Sequence, residues 1–362
     1  MVVSARPKAS DVAKLAGVSV TAVSFVFNGN DVGNIAPATK VRILDAAKEL
    51  GYTPDGVARS LRKQKTHMLG IVTDAIASSP FAGRLLAGAM DAAAGRGYAM
   101  LAFDSRDHRD LEQDAVTEFS RRKVQGVVYA TMGLREMSTL PETTLPLLLA
   151  NCTGPDGSHF AVIPDEVNAG RTAARYLLGL GHRRITMLSG PGPGKRIKDG
   201  NMAGPLRAKG FRNVLRGAGV PATDSPIVGA GWSIDAGHAA ALAVLGDGPD
   251  GQGRGRRPVH QRPTAIFAVN DRVATGVLLA AASLGLRVPD DLSVLGLDDQ
   301  EQLAANVVPS LTTLALPHRQ MGSRAVEMLV DAVESGTRPP ARVELLPLEL
   351  IVRDSVGPNP SG

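Results

Sequence analysis

The sequence predicts an α/β protein: a small helical headpiece, then two successive halves in which strands and helices alternate around parallel sheets. Three observations carry this reading. The chain has 362 residues, enough for two or three compact units. Residues 8 to 30, KASDVAKLAGVSVTAVSFVFNGN, carry apolar residues at helical spacing on either side of a single turn glycine, Gly17. From His67 onward short apolar runs of β type alternate with helical ones. That alternation makes a parallel sheet covered by helices.

In the headpiece, Asp11 to Ala16 places Val12, Leu15 and Ala16 on one helical face, and Gly17 can take the positive φ of a tight turn. Ser19 can cap a second helix that buries Val23, Val26 and Phe27 and exposes Val20, Thr21, Ser24, Phe25 and Asn28. Two short helices joined by a glycine-containing turn have the helix-turn-helix arrangement, although many helical pairs share that pattern. Pro37 opens a third helix that turns Ile43, Ala47 and Leu50 inward and stops at Gly51. Residues 1 to 67 hold ten Lys/Arg against five acids, whereas the remainder holds thirty of each, so the net charge of +5 sits in the headpiece. Such a bias is either ordinary scatter or the mark of a polyanion-binding module on a neutral body.

In the body, HMLGIVTD, YAMLAFD, VQGVVYA and PLLLAN read as strands, with helices over FAGRLLAGAMDAAAGRG and LEQDAVTEFSRRK. The pattern restarts after Pro164: a helix over RTAARYLLGLG, strand RITMLSG, a helix from Leu206 to Gly217, strand TAIFAVN, a helix over RVATGVLLAAASLG and strand LSVLGLDD. A last strand is expected over VELLPLELIVRD. Two α/β halves imply two lobes, with a ligand in the crevice at the carboxyl ends of the strands.

Several spaced motifs agree in order. DVAKLAGVS, then Asn28-Gly29, Gly51-Tyr52-Thr53-Pro54 and ARSLR from Ala58 to Arg62 make the N-terminal part resemble the headpiece of the LacI/GalR family of bacterial transcription regulators. GHRRI at 181 to 185, NDxxAxG at 270 to 276, RVPDDLSVLGLDD at 287 to 299 and PSLTTL at 309 to 314 make His67 to Asp354 resemble the two-lobed, type I periplasmic-binding-protein-like domain of that family. The resemblance implies a helix-turn-helix headpiece over 1–53, a hinge helix or linker over 54–66, an N-terminal lobe over 67–163 and 317–339, a C-terminal lobe over 164–316 and 340–354, and a polar tail over 355–362. Crossings between lobes are accordingly expected near 164, 317 and 340.

The family's site residues carry over position by position. In the headpiece the residues themselves lead to the expectation that Val20, Thr21 and Phe25 favour apolar or thymine contacts at base edges, while Ser19, Ser24 and Asn28 position phosphates. In the hinge, Leu61, between Arg59 and Arg62, resembles a leucine that wedges into a minor-groove step; the segment is too short and polar to fold alone, so its ordering is coupled to binding. Strand ends offer effector ligands: Asp104, Asn151, Asn270 and Asp298, with Arg207 from an RxxGF motif. Phe81 and Trp232 supply flat rings that either stack on a sugar or heterocycle or pack in the core. Two departures from the family stand out. Phe25 replaces an arginine or histidine, and the loop GNDVGNIAPA at 29 to 38 is about two residues long for the family. GPDGQGRGRRP at 248 to 258 is a further insertion, expected as a solvated surface loop.

Function classes are excluded on composition and motif. No apolar run reaches the roughly 18 residues of a membrane span, and the N-terminus lacks the apolar core of a secretory signal, so a soluble, cytoplasmic protein without a membrane partner is expected. Cys152 is the single cysteine, which rules out an internal disulfide or a cysteine-held metal cluster. LSGPGPGKR at 188 to 196 has Ser189 and Arg196 where a phosphate-binding loop needs glycine and a hydroxyl residue. With no catalytic constellation, neither an enzyme nor a cofactor or metal is expected. The leading expectation is a repressor: a homodimer on a double-stranded DNA operator, controlled by a small-molecule effector such as a sugar. The competing readings are a solute-binding protein without DNA binding and a sugar-modifying enzyme. No leucine heptads follow the last strand, which disfavours a coiled-coil tetramer.

Overall fold

The computed structural model describes residues 7–52, 66–75, 82–190, 200–247 and 257–360. It divides into two compact units, Met1–His67 and Met68–Gly362.

The first unit contains α1 (Ala9–Ala16), α2 (Val20–Phe27) and α3 (Pro37–Glu49). Asp11 accepts the Lys8 backbone N–H at 2.8 Å at the start of α1, and Gly17 ends it at φ 64°, a left-handed conformation that a side chain would strain. The Ser19 hydroxyl oxygen then accepts the Ala22 N–H at 3.1 Å and starts α2 after a bend of 108°. Val12, Ala13, Val23, Val26, Ile43, Ala46 and Ala47 close the core, and Phe27 meets the edge of Tyr52 at 5.5 Å. Leu15, expected inside, is 47% exposed, and Ala13 takes its place because the face of α1 is rotated toward the smaller residue. The long loop before α3 is pinned by buried Asp31, which pairs with Lys40.

The second unit contains two six-stranded sheets. Its elements in chain order are β1 (Met68–Thr73), α4 (Ala82–Gly95), β2 (Ala99–Asp104), α5 (Arg109–Arg121), β3 (Val127–Glu136), β4 (Leu147–Thr153), β5 (Ala161–Pro164), α6 (Glu166–Gly179), β6 (Ile185–Ser189), α7 (Ala203–Gly217), β7 (Ile227–Gly229), α8 (Ile234–Leu245), β8 (Ala265–Ala268), α9 (Asp271–Ser283), β9 (Ser293–Asp298), β10 (Thr312–Ala315), α10 (His318–Ser335), β11 (Val343–Leu346) and β12 (Glu349–Ile351). The first sheet runs β11-β5-β4-β3-β1-β2 and is parallel throughout. The second runs β12-β10-β9-β8-β6-β7 and is parallel except where β12 joins antiparallel to β10. Both faces of each sheet are covered, the first by α4 with α10 and by α5, the second by α6 with α7 and by α8 with α9. Continuous apolar strands such as LGIVT and AIFA reflect burial on both faces.

The chain leaves the first sheet after Pro164, returns between Ala315 and His318, and goes back to the second sheet between Leu346 and Glu349. The crossing expected near 340 is therefore corrected: Val343 to Leu346 pairs with β5 and belongs to the first lobe, not the C-terminal one. VELLPLELIVRD is two strands rather than one, broken at Pro347, whose ring removes a ladder donor and fixes φ. The 355–362 segment is also more than a polar tail. Ser355 is fully buried and donates to the Val294 carbonyl at 2.6 Å, while the Gly357 carbonyl bonds the buried His182 ring at 2.9 Å. Elements β5, β7, α8, β10 and α10 lie outside those expected from the sequence, and most of the 248–258 insertion lies outside the described residues. Among the described residues no single helix is long and apolar enough to cross a membrane.

Candidate functional site

In the first unit, Val20 and Thr21 are exposed, whereas Ser24, Phe25 and Asn28 are half-buried. Asn28 folds back along α2, donating through Nδ2 to the Ser24 carbonyl at 2.7 Å and to the Ser24 hydroxyl at 3.0 Å. Both bonds lie within the last turn of α2. Lys8, Lys14, Arg42 and Lys48 are exposed elsewhere on the same unit. Arg59 and Leu61 lie outside the described residues.

In the second unit a cavity of about 280 Å³ opens between the lobes where the two sheets present their carboxyl strand ends. Asn151, Arg207, Trp232, Asn270 and Asp298 all line it. Asn151 lies within β4, two residues before its end, at a left-handed φ of 58°, and spends its Nδ2 on the carbonyls of Thr131 and Met132, both at 3.0 Å. This leaves its Oδ1 as the group offered to the cavity. Asn270 caps α9, accepting the Val273 N–H at 2.8 Å, and donates to the Trp232 carbonyl at 3.1 Å. The indole of Trp232 lies against Gly190, where a Cβ would collide with the ring, so the ring both packs and lines.

Arg207 is the most constrained group. Its Nε and Nη2 donate to Glu166 at 2.6 and 2.7 Å, and its Nη1 donates to the Val269 carbonyl at 2.6 Å. This pairing follows from close helix packing. A Cβ at Gly170 would run into the Arg207 carbonyl, and one at Gly210 into the Val167 carbonyl, so two glycines let α6 and α7 approach until Glu166 and Arg207 meet. Opposite Arg207, Asp298 sits at φ 112°, a strained conformation at a strand end. Burial pushes its carboxyl well above the usual range, against the pull of Arg207. Asp271, behind it, is fully buried and accepts from Thr313 Oγ1 and Gln300 N, each at 2.7 Å; burial raises it as well. His318, at the second crossing, is pushed down to about 4 by burial, with Arg84 and Arg207 adding positive charge nearby.

Asp104 is not brought to the cavity: it accepts the Arg106 N–H at 3.0 Å and serves the turn after β2. Phe81 lies outside the described residues. Other lining residues had no sequence expectation. Glu166 follows the first crossing, His318 the second, and Arg135 is on the end of β3, which continues past Ala130, its expected end, through a register irregularity. Arg135 bonds Asp107 at 2.8 Å and lies 3.5 Å from buried Asp74. It also forms the wall to an adjoining hollow of about 590 Å³ on the side of α5. At this point the lobes touch: Met202 donates to the Leu134 carbonyl at 2.7 Å, and Arg135 bridges Asn201 in antiparallel fashion. The signal that could have found this group is position, since crossings and strand ends are where the cleft must lie.

These two units define a class, helix-turn-helix regulators that carry a periplasmic-binding-protein-like domain. Residues 9–55 match the bacterial regulatory proteins of the lacI family, and 174–356 match the periplasmic binding protein-like domain. The chain is 33% identical over 354 residues to the HTH-type transcriptional regulator DegA of Bacillus subtilis (strain 168), covering 96% of this chain and 97% of DegA. It is 30% identical over 355 residues to the HTH-type transcriptional repressor PurR of Edwardsiella ictaluri, covering 97% of each. Among solved structures, the complex of the transcriptional regulator CelR with cellobiose is 26% identical with a TM-score of 0.61, covering 97% of this chain and 100% of that one. The lac repressor dimer bound to operator shares the fold at a TM-score of 0.75 and 23% identity, covering 98% of this chain and 100% of that one. The chain belongs to the lacI family of bacterial regulatory proteins and is an HTH-type transcriptional regulator. Its function is DNA binding, not the DNA-independent solute binding of the competing reading.

Proposed function

We propose that this regulator is a repressor that binds a pseudo-palindromic operator as a homodimer, and that a sugar or similarly polar metabolite in the cleft sets its operator affinity. One observation carries the effector reading: hydrogen-bonding groups from both lobes, Asn151 on one side and Arg207, Asn270 and Asp298 on the other, surround a single cavity. A ligand that bridges them binds one arrangement of the lobes better than another, and that difference is the only free energy available to bias DNA binding. A coupling of about 1 to 3 kcal/mol shifts operator affinity roughly 5- to 150-fold. The flat ring of Trp232 beside polar groups suits a sugar or heterocycle face. Support for repression comes from the PurR relatives, and support for a sugar from cellobiose in the CelR complex. The segment 54–66, with Arg59 at the phosphates and Leu61 as the minor-groove wedge, transmits the change. Family membership and the lack of any sequence motif for catalysis support a role that is not enzymatic.

The test is a gel-shift titration of the dimer on an operator selected from random DNA, run over salt and with a panel of sugars and nucleobases. Steep salt dependence is expected, because each neutralised phosphate contributes a slope of about −0.9 in log K against log salt. One compound is expected to change operator affinity. If none of a broad panel does so while the same compounds also fail to raise the melting temperature, the effector reading is wrong.

A further inference from the structure

We propose that α2 reads its operator by apolar contact with thymine methyl groups, with Phe25 and Val20 as the discriminating side chains. The inference rests on the operator-binding reading and names what that site prefers.

The argument begins with what α2 lacks. Its sequence, VTAVSFVF, carries no charged side chain in any turn, so paired guanidinium or ammonium contacts with guanine are unavailable to it. Asparagine and glutamine read adenine in the major groove through paired bonds, and α2 has no glutamine. Asn28, just after the helix, has both Nδ2 hydrogens on Ser24 and is folded away from that task. Ser19 spends its hydroxyl oxygen on the Ala22 N–H as the helix cap. The same unit exposes Lys8, Lys14, Arg42 and Lys48, but phosphates are alike in every sequence, so positive charge supplies affinity without discrimination.

What α2 presents instead is apolar. Val20, the first residue of the helix, is 49% exposed, and Thr21 beside it is exposed with a methyl of its own. Phe25, one turn along from Thr21, is half-buried and stands outside the core that Val12, Val23, Val26 and Ile43 build. Residues near the start of such a helix meet the base edges in the major groove. There the one apolar feature that distinguishes a base pair is the C5 methyl of thymine.

The experiment uses the full chain and an operator selected from random DNA, in which each thymidine is replaced in turn by deoxyuridine, removing only the methyl. Substitution at the read position is expected to weaken binding about fourfold per methyl, and about fifteenfold when both half-sites are changed. Phe25→Ala is expected to bind thymidine and deoxyuridine alike at the one position per half-site that Phe25 reads, while Phe25→Leu keeps the preference there; circular dichroism checks that both variants fold. Phe25→Arg is expected to move selection toward guanine at one base pair per half-site. Selective, salt-steep binding that ignores every deoxyuridine substitution would overturn the methyl reading and leave the operator-binding reading intact. Failure of the wild-type chain to bind any DNA would overturn both. The wild-type measurement alone decides the question if the Phe25 variants do not fold.

Discussion

Arg207 shows why one residue in the cleft does two things. Its guanidinium is buried with Glu166, so removing one partner strands the other charge away from water. Glu166→Ala is expected to destabilise the second unit by about 3 to 5 kcal/mol in urea denaturation, whereas replacing both by apolar residues of similar size costs far less. Asn270 can be separated from stability more cleanly. Asn270→Ser keeps a side-chain oxygen for the α9 cap and loses the amide donor, so the melting temperature should hold while the effector concentration needed rises about tenfold. His318 predicts a pH effect. Its folded value of about 4 lies below the ordinary 6.5, so the unfolded chain binds the proton more readily, and its contribution is present above pH 6.5 and lost as pH falls toward 4. Set against a His318→Gln variant, the wild type should lose about 3 kcal/mol over that range by thermal denaturation at each pH.

Elements place these residues. Helices α6 and α7 meet through Gly170 and Gly210, and the closeness of that contact, rather than the RxxGF wording alone, brings Arg207 to Glu166. Gly210→Ala is expected to destabilise by about 1 to 3 kcal/mol and to weaken the effector response by displacing Arg207. Strand ends were legible because apolar runs such as TAIFAVN stop at a polar residue, and that residue faces the crevice of a parallel sheet; Asn151, Asn270 and Asp298 were found that way. Asp104 ends a strand by the same rule, yet β2 is the edge of its sheet and its carboxylate turns to the local loop. Only sheet order separates the two cases. The polar bonds of Ser24 with Asn28 were likewise invisible, since spacing alone marks both as outward positions.

At the scale of the molecule, ligand and lobes are linked. A compound that binds the folded second unit at a hundred times its Kd is expected to stabilise it by about 2.7 kcal/mol, read as a concentration-dependent rise in melting temperature. The alternation of strands and helices, the confinement of net charge to the first 67 residues and the motifs of the headpiece are properties of local order along the chain. They determined the fold class, the family and the strand-end residues that line the cavity without a structure, because period, turn chemistry and composition act over a few neighbours. Tertiary structure alone decided that Val343 to Leu346 returns to the first sheet, that Ser355 is a buried tie rather than a tail, and that Glu166 and His318 join the cleft. Each depends on a partner far along the chain, and burial, ion pairing and strand pairing between distant segments leave no period for a sequence to display.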